Sequence, residues 1–252
     1  MIQTHFIRHL AITVVFLAGW PATATLAGVR HFTFLYEAPT SAPGSVELEN
    51  TVTWAHGSNW NEVSIREEFE IGITDRFQLG LYPLDWNHHE DSDKSGFGYD
   101  GGAIELIYNL SNPVIDPVGI SLYEEISAAR QHFELETKLI AQKNFGRWIF
   151  DYNATLEAEW EDLHLEEQQG EFQQALGASY EISPRLSVGL EFLHEFVFED
   201  WRDDEKIRNV FIGPNVSYRR NQWFVTVTAL AQATDTEDEP NFQLRTIFGF
   251  GF

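Results

Sequence analysis

Acidic side chains recur at short, even spacings along this chain. Glu47 and Glu49, Glu68 and Glu70, Glu134 and Glu136, and Glu157 and Glu159 stand two residues apart, and Glu191 and Glu195 four apart. In an extended strand these spacings put both carboxylates of a pair on one face. Glu62, Glu105, Glu125, Asp151, Glu171, Glu181 and Glu199 fall on the same face of their own segments, against only Arg66, Lys138 and Arg245 as basic counterparts. Carboxylates crowded into a poorly screened space must be protonated, solvated or paired with cations. In a pore, such rings favour cations. The chemistry to expect is therefore passage or capture of cationic or small polar solutes. The plainer alternative is that the carboxylates only keep an interior wet, as in any water-filled barrel.

Other residue groups carry weaker chemistry. His88-His89-Glu90-Asp91, with Asp93, supplies metal-ligand types inside a polar connection that lacks a fixed scaffold. His194 sits among Phe192, Phe196 and Phe198, with no serine on the same face nearby to serve as a nucleophile. There is no glycine-rich phosphate loop and no HExxH helix. No catalytic residue, resident metal or cofactor is assigned, and an enzyme is not expected.

The elements that must position the carboxylates are strands. Apolar and polar residues alternate with period two, as in Trp148, Phe150, Tyr152, Ala154, Leu156, Ala158 and Trp160. Turn residues divide the chain into twelve strands: 46–56, 60–73, 77–84, 101–110, 118–128, 131–142, 147–160, 171–181, 186–199, 208–218, 223–233 and 241–252. An even count is what a closed, single-chain bacterial membrane barrel requires. One set of connections is mostly short; the other is mostly longer and polar: "DWNHHEDSDKSGFGYD", "EDLHLEEQQG", "EDWRDDEKIR" and "ATDTEDEPN". The N-terminus and Phe252 fall on the short-turn rim.

Residues 1–27 read as a secretory signal peptide. Arg8 precedes an apolar run from Leu10 to Trp20 that is too short to span a bilayer, then Ala22-Thr23-Ala24 or Thr25-Leu26-Ala27 as the cleavage site. Residues 28–45 read as a periplasmic segment or linker, with a flap, a plug or an extra edge strand all open. Residues 46–252 form the barrel. The chain has no cysteine and a formal charge of −23, so disulfides cannot stabilise it and nucleic acid is a poor partner.

Period two alone does not say which face is wet. A soluble sandwich would bury the aromatic face. The ends of the apolar faces argue otherwise: Trp148, Tyr218 and Trp223 lie beside short turns, while Trp54 and Trp160 lie beside the long loops. Two aromatic girdles match the two interfaces of a bilayer. Glu67 and Glu124 interrupt the apolar runs; a β-bulge shifting the register is the expected reason, with a functional lipid-facing acid or an oligomer contact as the alternatives. Tyr82, Phe211 and Phe224 are bulky lumen residues able to narrow the passage.

The chain ends "LRTIFGFGF". With the alternation and girdles, this resembles Gram-negative outer-membrane β-barrel proteins, and "EFEIGITDRFQLGLY" (68–82) is similar to hairpins of uncharacterised, porin-like transporter families. The resemblance implies an all-β, up-and-down transmembrane barrel in the bacterial outer membrane, in contact with its lipid. It also implies that Phe248, Phe250 and Phe252 are a C-terminal signal read by the barrel-assembly machinery. The function expected is a channel or facilitator for small polar or cationic solutes. A non-conducting structural or surface-interaction barrel with cation-binding loops is the alternative, and an outer-membrane hydrolase the third.

Overall fold

The computed structural model describes residues 28, 30–161, 164–165, 167–198, 207–237 and 239–252, with backbone only at 167 and 168. The expected signal peptide lies outside these residues, as do residues 162, 163 and 166 of "EDLHLEEQQG", residues 199–206 of "EDWRDDEKIR" with Glu199, and residue 238. The described residues form twelve strands: β1 (Val46–His56), β2 (Trp60–Thr74), β3 (Phe77–Asp91), β4 (Ser95–Ser111), β5 (Gly119–Ala129), β6 (His132–Phe145), β7 (Trp148–Glu161), β8 (Glu167–Ser183), β9 (Leu186–Phe198), β10 (Ile207–Arg220), β11 (Trp223–Gln232) and β12 (Phe242–Gly251). Each pairs antiparallel with its successor. β1 pairs with β12 through Leu48↔Phe250, Thr53↔Arg245 and His56↔Phe242, which closes the barrel and removes both sheet edges.

The side-chain distribution is the inverse of a soluble protein's. Glu49, Glu105, Glu191, Asn209 and Thr228 are buried, whereas Leu122 is 46%, Leu156 60%, Leu190 56% and Phe248 44% exposed. Polar groups point inward and a band of large apolar side chains faces out, the arrangement that lipid on the outside requires. The architecture is an all-antiparallel transmembrane β-barrel of the outer-membrane type. No helix among the described residues is long and apolar enough to cross a membrane. Aromatics flank the apolar band. Trp148 stacks on Phe150 and packs tilted against Tyr180, and Trp223 stacks on Phe248 and packs tilted against Tyr218, at the short-turn end; Trp54 packs on Phe242 and Trp160 on Phe133 at the other.

Three expectations need correction. First, "DWNHHEDSDKSGFGYD" is not a loop. β3 continues to Asp91 and β4 starts at Ser95, because the Asp91 carboxylate accepts the N–H groups of Asp93 and Lys94 at 2.7 Å and tightens the turn. On the outer face Phe97 packs against Trp86 and His88. Second, the connections at that rim are not mostly long: residues 57–59, 92–94 and 130–131 suffice for the first three of its six hairpins. Third, no bulge in β2 or β5 turns Glu67 or Glu124 inward. β5 pairs without a shift around Glu124, which is exposed between Leu122 and Ile126 and accepts from Thr137 Oγ1 at 2.7 Å. The shift beside Glu67 lies in β3, where Tyr82 and Pro83 together oppose the Glu68 region. Glu67 keeps the phase of Ile65 and Phe69, so both acids stay on the outer face.

The bulges nevertheless do structural work. After Tyr82 the inward phase of β3 passes to Asp85, Asn87 and His89, and β4 matches this change at Asp100-Gly101. Gly101 has φ +106°, and a Cβ there would stand 2.2 Å from the Ala128 carbonyl oxygen, so only glycine fits.

Of the placements open to residues 28–45, the structure takes the plug. The segment passes the short-turn rim beside the β2–β3 turn, where Gly44 N–H donates to Gly72 O and Gly72 N–H donates to Ser45 O. Inside, Phe32 and Leu35 pack against Ile149, Ala175, Leu193, Phe211 and Leu230, and Ala38 packs against Ile107, Tyr123 and Ile140. Fully burying Phe32 and Leu35 is worth roughly 2–3 kcal/mol each. Gly177 makes room for the Phe32 ring, which would stand 2.6 Å from a Cβ at that position.

Candidate functional site: a charged lumen divided by the N-terminal segment

A segment without secondary structure inside a barrel has backbone groups to satisfy. Lumen side chains satisfy them. Glu191 accepts the N–H groups of Thr33 (3.1 Å) and Phe34 (2.8 Å), with Asn215 and Thr228 donating to the same carboxylate. Asn153 brackets Tyr36, accepting from its N–H at 2.7 Å and donating to its carbonyl at 3.0 Å. Gln142 accepts from Ala38 N–H, while Asn109 and Ser121 donate to the Ala38 carbonyl. Gln78 takes Ser41 N–H, and Ser217 and Thr226 donate to Arg30 O. Eight strands thus contribute one polar anchor or more.

The segment leaves two cavities, of about 310 Å³ and 350 Å³, and Arg30, Tyr36 and Glu49 line both. The Arg30–Tyr36 stretch is the partition between them. On the short-turn side, Glu47, Glu49 and Glu70 line the first cavity and are buried; the buried Glu68 reaches the second, and the buried Glu105 lines neither. Arg30 binds Glu49 and Glu70 at 2.9 Å and lies 3.9 Å from Glu68. On the other side Arg66 bridges Asp85 and Glu125, Lys138 pairs with Glu136 at 2.9 Å, and Arg245 donates to Thr53 Oγ1 at 3.0 Å. All three cations also lie over aromatic rings: Arg66 on Tyr82, Lys138 on Tyr36 and Tyr123, and Arg245 on Phe34. Tyr36 and Tyr82 share a hydroxyl hydrogen bond, and Tyr82 donates to Glu105.

These placements can be set beside the sequence expectations. Glu134, Glu136, Glu157 and Glu195 line the second cavity with Arg66, Lys138 and Arg245. Asp151 and Glu191 are buried around the plug rather than on an open path, and Glu159 lies 3.1 Å from His132 at the loop rim. Tyr82, Phe211 and Phe224 point inward and are buried. Phe248 and Phe250 alternate with the buried Gly249 and Gly251, and Phe252 N–H donates to Val46 O. His88 and His89 point to opposite sides of β3, so the His88–Asp91 run does not converge: His89 meets Glu62 and Asp91, while His88 packs on Phe97. His194 accepts from Arg208 at 2.9 Å on the outer face.

Among the described residues, two triads hold carboxylate or imidazole ligand atoms within 4.8 Å of one another: His132 with Glu159 and Glu161, and Glu47 with Glu49 and Glu70. The second already contains Arg30. Sequence reading missed Arg30 itself and the inward apolar positions Ile107, Ile140, Leu193 and Leu230. Their signal was present as apolar residues interrupting polar faces, which calls for an apolar partner inside the barrel.

The sequence profile of a family of unknown function, DUF6662, matches residues 24–243. The chain belongs to this family. No curated protein matches it in sequence. Among solved structures it is similar to the COG4313 outer-membrane channel of Pseudomonas putida F1, with a TM-score of 0.64 and 11% identity over 88% of this chain and 100% of that one. It is also similar to the NanC porin, with a TM-score of 0.54 and 10% identity over 81% of this chain and 98% of the other. The β domain of the Bordetella autotransporter BrkA gives 0.50 and 10% over 82% and 99%. At these identities the likeness is one of fold, and it places this DUF6662 member among outer-membrane barrels.

Proposed function

We propose that the protein is an outer-membrane channel or facilitator for small polar or cationic solutes, held closed in this structure by its own N-terminal segment. The observation that carries the reading is the lumen: carboxylates of β1, β2, β3, β5, β6, β7 and β9 line two cavities that meet at Arg30, Tyr36 and Glu49. A fixed surplus of carboxylates in a narrow passage favours cations. Export through a cleaved signal peptide, and assembly through the aromatic C-terminal strand, belong to the same reading. The channel and porin among the structural relatives support it by fold.

A second reading is favoured by the plug's apolar anchoring, which would suit a barrel that never conducts. Planar-bilayer recordings under a salt gradient separate the two. The intact protein is expected to be mostly silent, and a variant lacking residues 30–43 to give single-channel steps with a cation-selective reversal potential. Silence of both forms, or clear anion preference, defeats the channel reading.

A further inference from the structure

The carboxylates of Glu47, Glu49, Glu68, Glu70 and Glu105 share the short-turn end of the lumen, and each residue is at most 6% exposed. Among the described residues, the one basic side chain within 4 Å of this group is Arg30, which reaches Glu49, Glu68 and Glu70. Glu47 has a different partner. Its Oε2 accepts from the Gly28 backbone nitrogen at 2.7 Å. A Cβ at residue 28 would stand 3.0 Å from Glu47 Oε1, so the approach suits glycine. Immediately before Gly28 the sequence reads Thr25-Leu26-Ala27, one of the two small-residue cleavage patterns that follow the apolar run.

A peptide N–H would bring one donor and no charge to this crowded acidic pocket. A chain terminus at the same atom would bring three donors and a full positive charge, which a buried carboxylate needs far more. We propose that signal peptidase cleaves after Ala27, making Gly28 the first residue of the mature protein, and that its α-ammonium is the second cation of the pocket, pinning the free end of the plug to Glu47. In the cleavage step water adds to the Ala27 carbonyl carbon and the C–N bond to Gly28 breaks. Ala27 leaves as a carboxylate, and the Gly28 nitrogen takes up protons to become the ammonium. The charge that anchors the plug exists only after processing, so seating of the plug is tied to maturation. The inference rests on the export part of the proposed function and is independent of conduction.

The test begins with intact mass and N-terminal sequencing of the protein isolated from the outer membrane of an expressing Gram-negative host. A start at Gly28 is expected. A start at Thr25 overturns the inference and leaves export standing; an uncleaved Met1 overturns both. Amine-reactive labelling of the folded protein then probes the ion pair. The free-amine fraction falls tenfold per unit by which Glu47 raises the ammonium's pKa, so labelling should be about tenfold slower than in Glu47→Gln. Equal rates, with both proteins folded by heat-modifiable gel mobility, overturn the pairing. Should Glu47→Gln fail to fold, a labelling rate in the native protein equal to that of a free Gly-Val-Arg peptide does the same.

Discussion

Glu191 shows how much a single lumen carboxylate does. Four donors from three parts of the barrel and plug converge on it: Thr33 N–H, Phe34 N–H, Asn215 Nδ2 and Thr228 Oγ1. Removing the acceptor strands buried donors at about 1–3 kcal/mol each, though not additively. Glu191→Leu is therefore expected to unseat the plug while the barrel remains closed by its strand ladder. Limited proteolysis in liposomes checks this, since cleavage within residues 30–43 should become fast in the variant and stay slow in the parent. The His31–Glu37 pair adds a pH dependence. Burial alone would lower the His31 pKa, but the Glu37 carboxylate at 2.8 Å, helped by Glu181 and opposed by Arg219, holds it above its ordinary 6.5. Burial would raise Glu37, yet the charge and hydrogen bonds of His31 hold it below 4.5. A raised His stabilises the seated plug fully below about 6.5, and that contribution is lost as pH rises through the raised value; a lowered Glu contributes above about 4.5 and is lost as pH falls through the depressed one. The plug should be tightest between those limits and loosen on the alkaline side. Proteolysis of residues 30–43 against pH measures this, and an unchanged alkaline limb in His31→Gln would refute it.

At the level of elements, the two outward acids test how the strands meet lipid. Glu124 projects from β5 between Leu122 and Ile126 with Thr137 of β6 as its hydrogen-bond partner. A carboxylate on the lipid face costs free energy that grows with depth, less than the roughly 2–4 kcal/mol of a basic residue at mid-bilayer. Glu124→Leu is expected to stabilise the barrel by about 1 kcal/mol in lipid, read from reversible urea unfolding in vesicles. A loss of stability would show that the Glu124–Thr137 pair, or a contact made through it, outweighs desolvation. The β3–β4 hairpin carries a related lesson. Its polar tip reads as a loop by composition, but Asp91 and the bulges at Tyr82-Pro83 and Asp100-Gly101 let both strands continue with their faces exchanged.

For the whole molecule, the proposed channel would take its selectivity from the lumen carboxylates left uncovered once the N-terminal segment is removed. Glu157 lines the second cavity, and Glu159 stands beside His132 at the rim. In the variant lacking residues 30–43, Glu157→Gln with Glu159→Gln should move the reversal potential toward the non-selective value, cutting the cation-to-anion permeability ratio several-fold. An unchanged ratio would mean that selectivity is set elsewhere, with the pocket around Glu47, Glu49 and Glu70 the next place to examine.

The strands, their count and the sense of their faces were legible without coordinates, because period-two alternation and turn chemistry act over a few residues. That is why Leu122, Leu156 and Phe248 turn outward and Glu49 and Glu105 inward along segments read as alternating. The phase exchange in β3 and β4 was not legible, since a bulge is defined only against its partner strand. Nor was the interior. Arg30 meets Glu49 and Glu70 across 19 and 40 residues, and Phe34 meets Glu191 across 157. Such meetings depend on closure of the barrel around the segment, a long-range event that leaves only a faint local mark: apolar residues such as Ile140 and Leu193 on faces that alternation assigns to water. Local periodicity determined the wall of this protein, and tertiary closure decided what fills it.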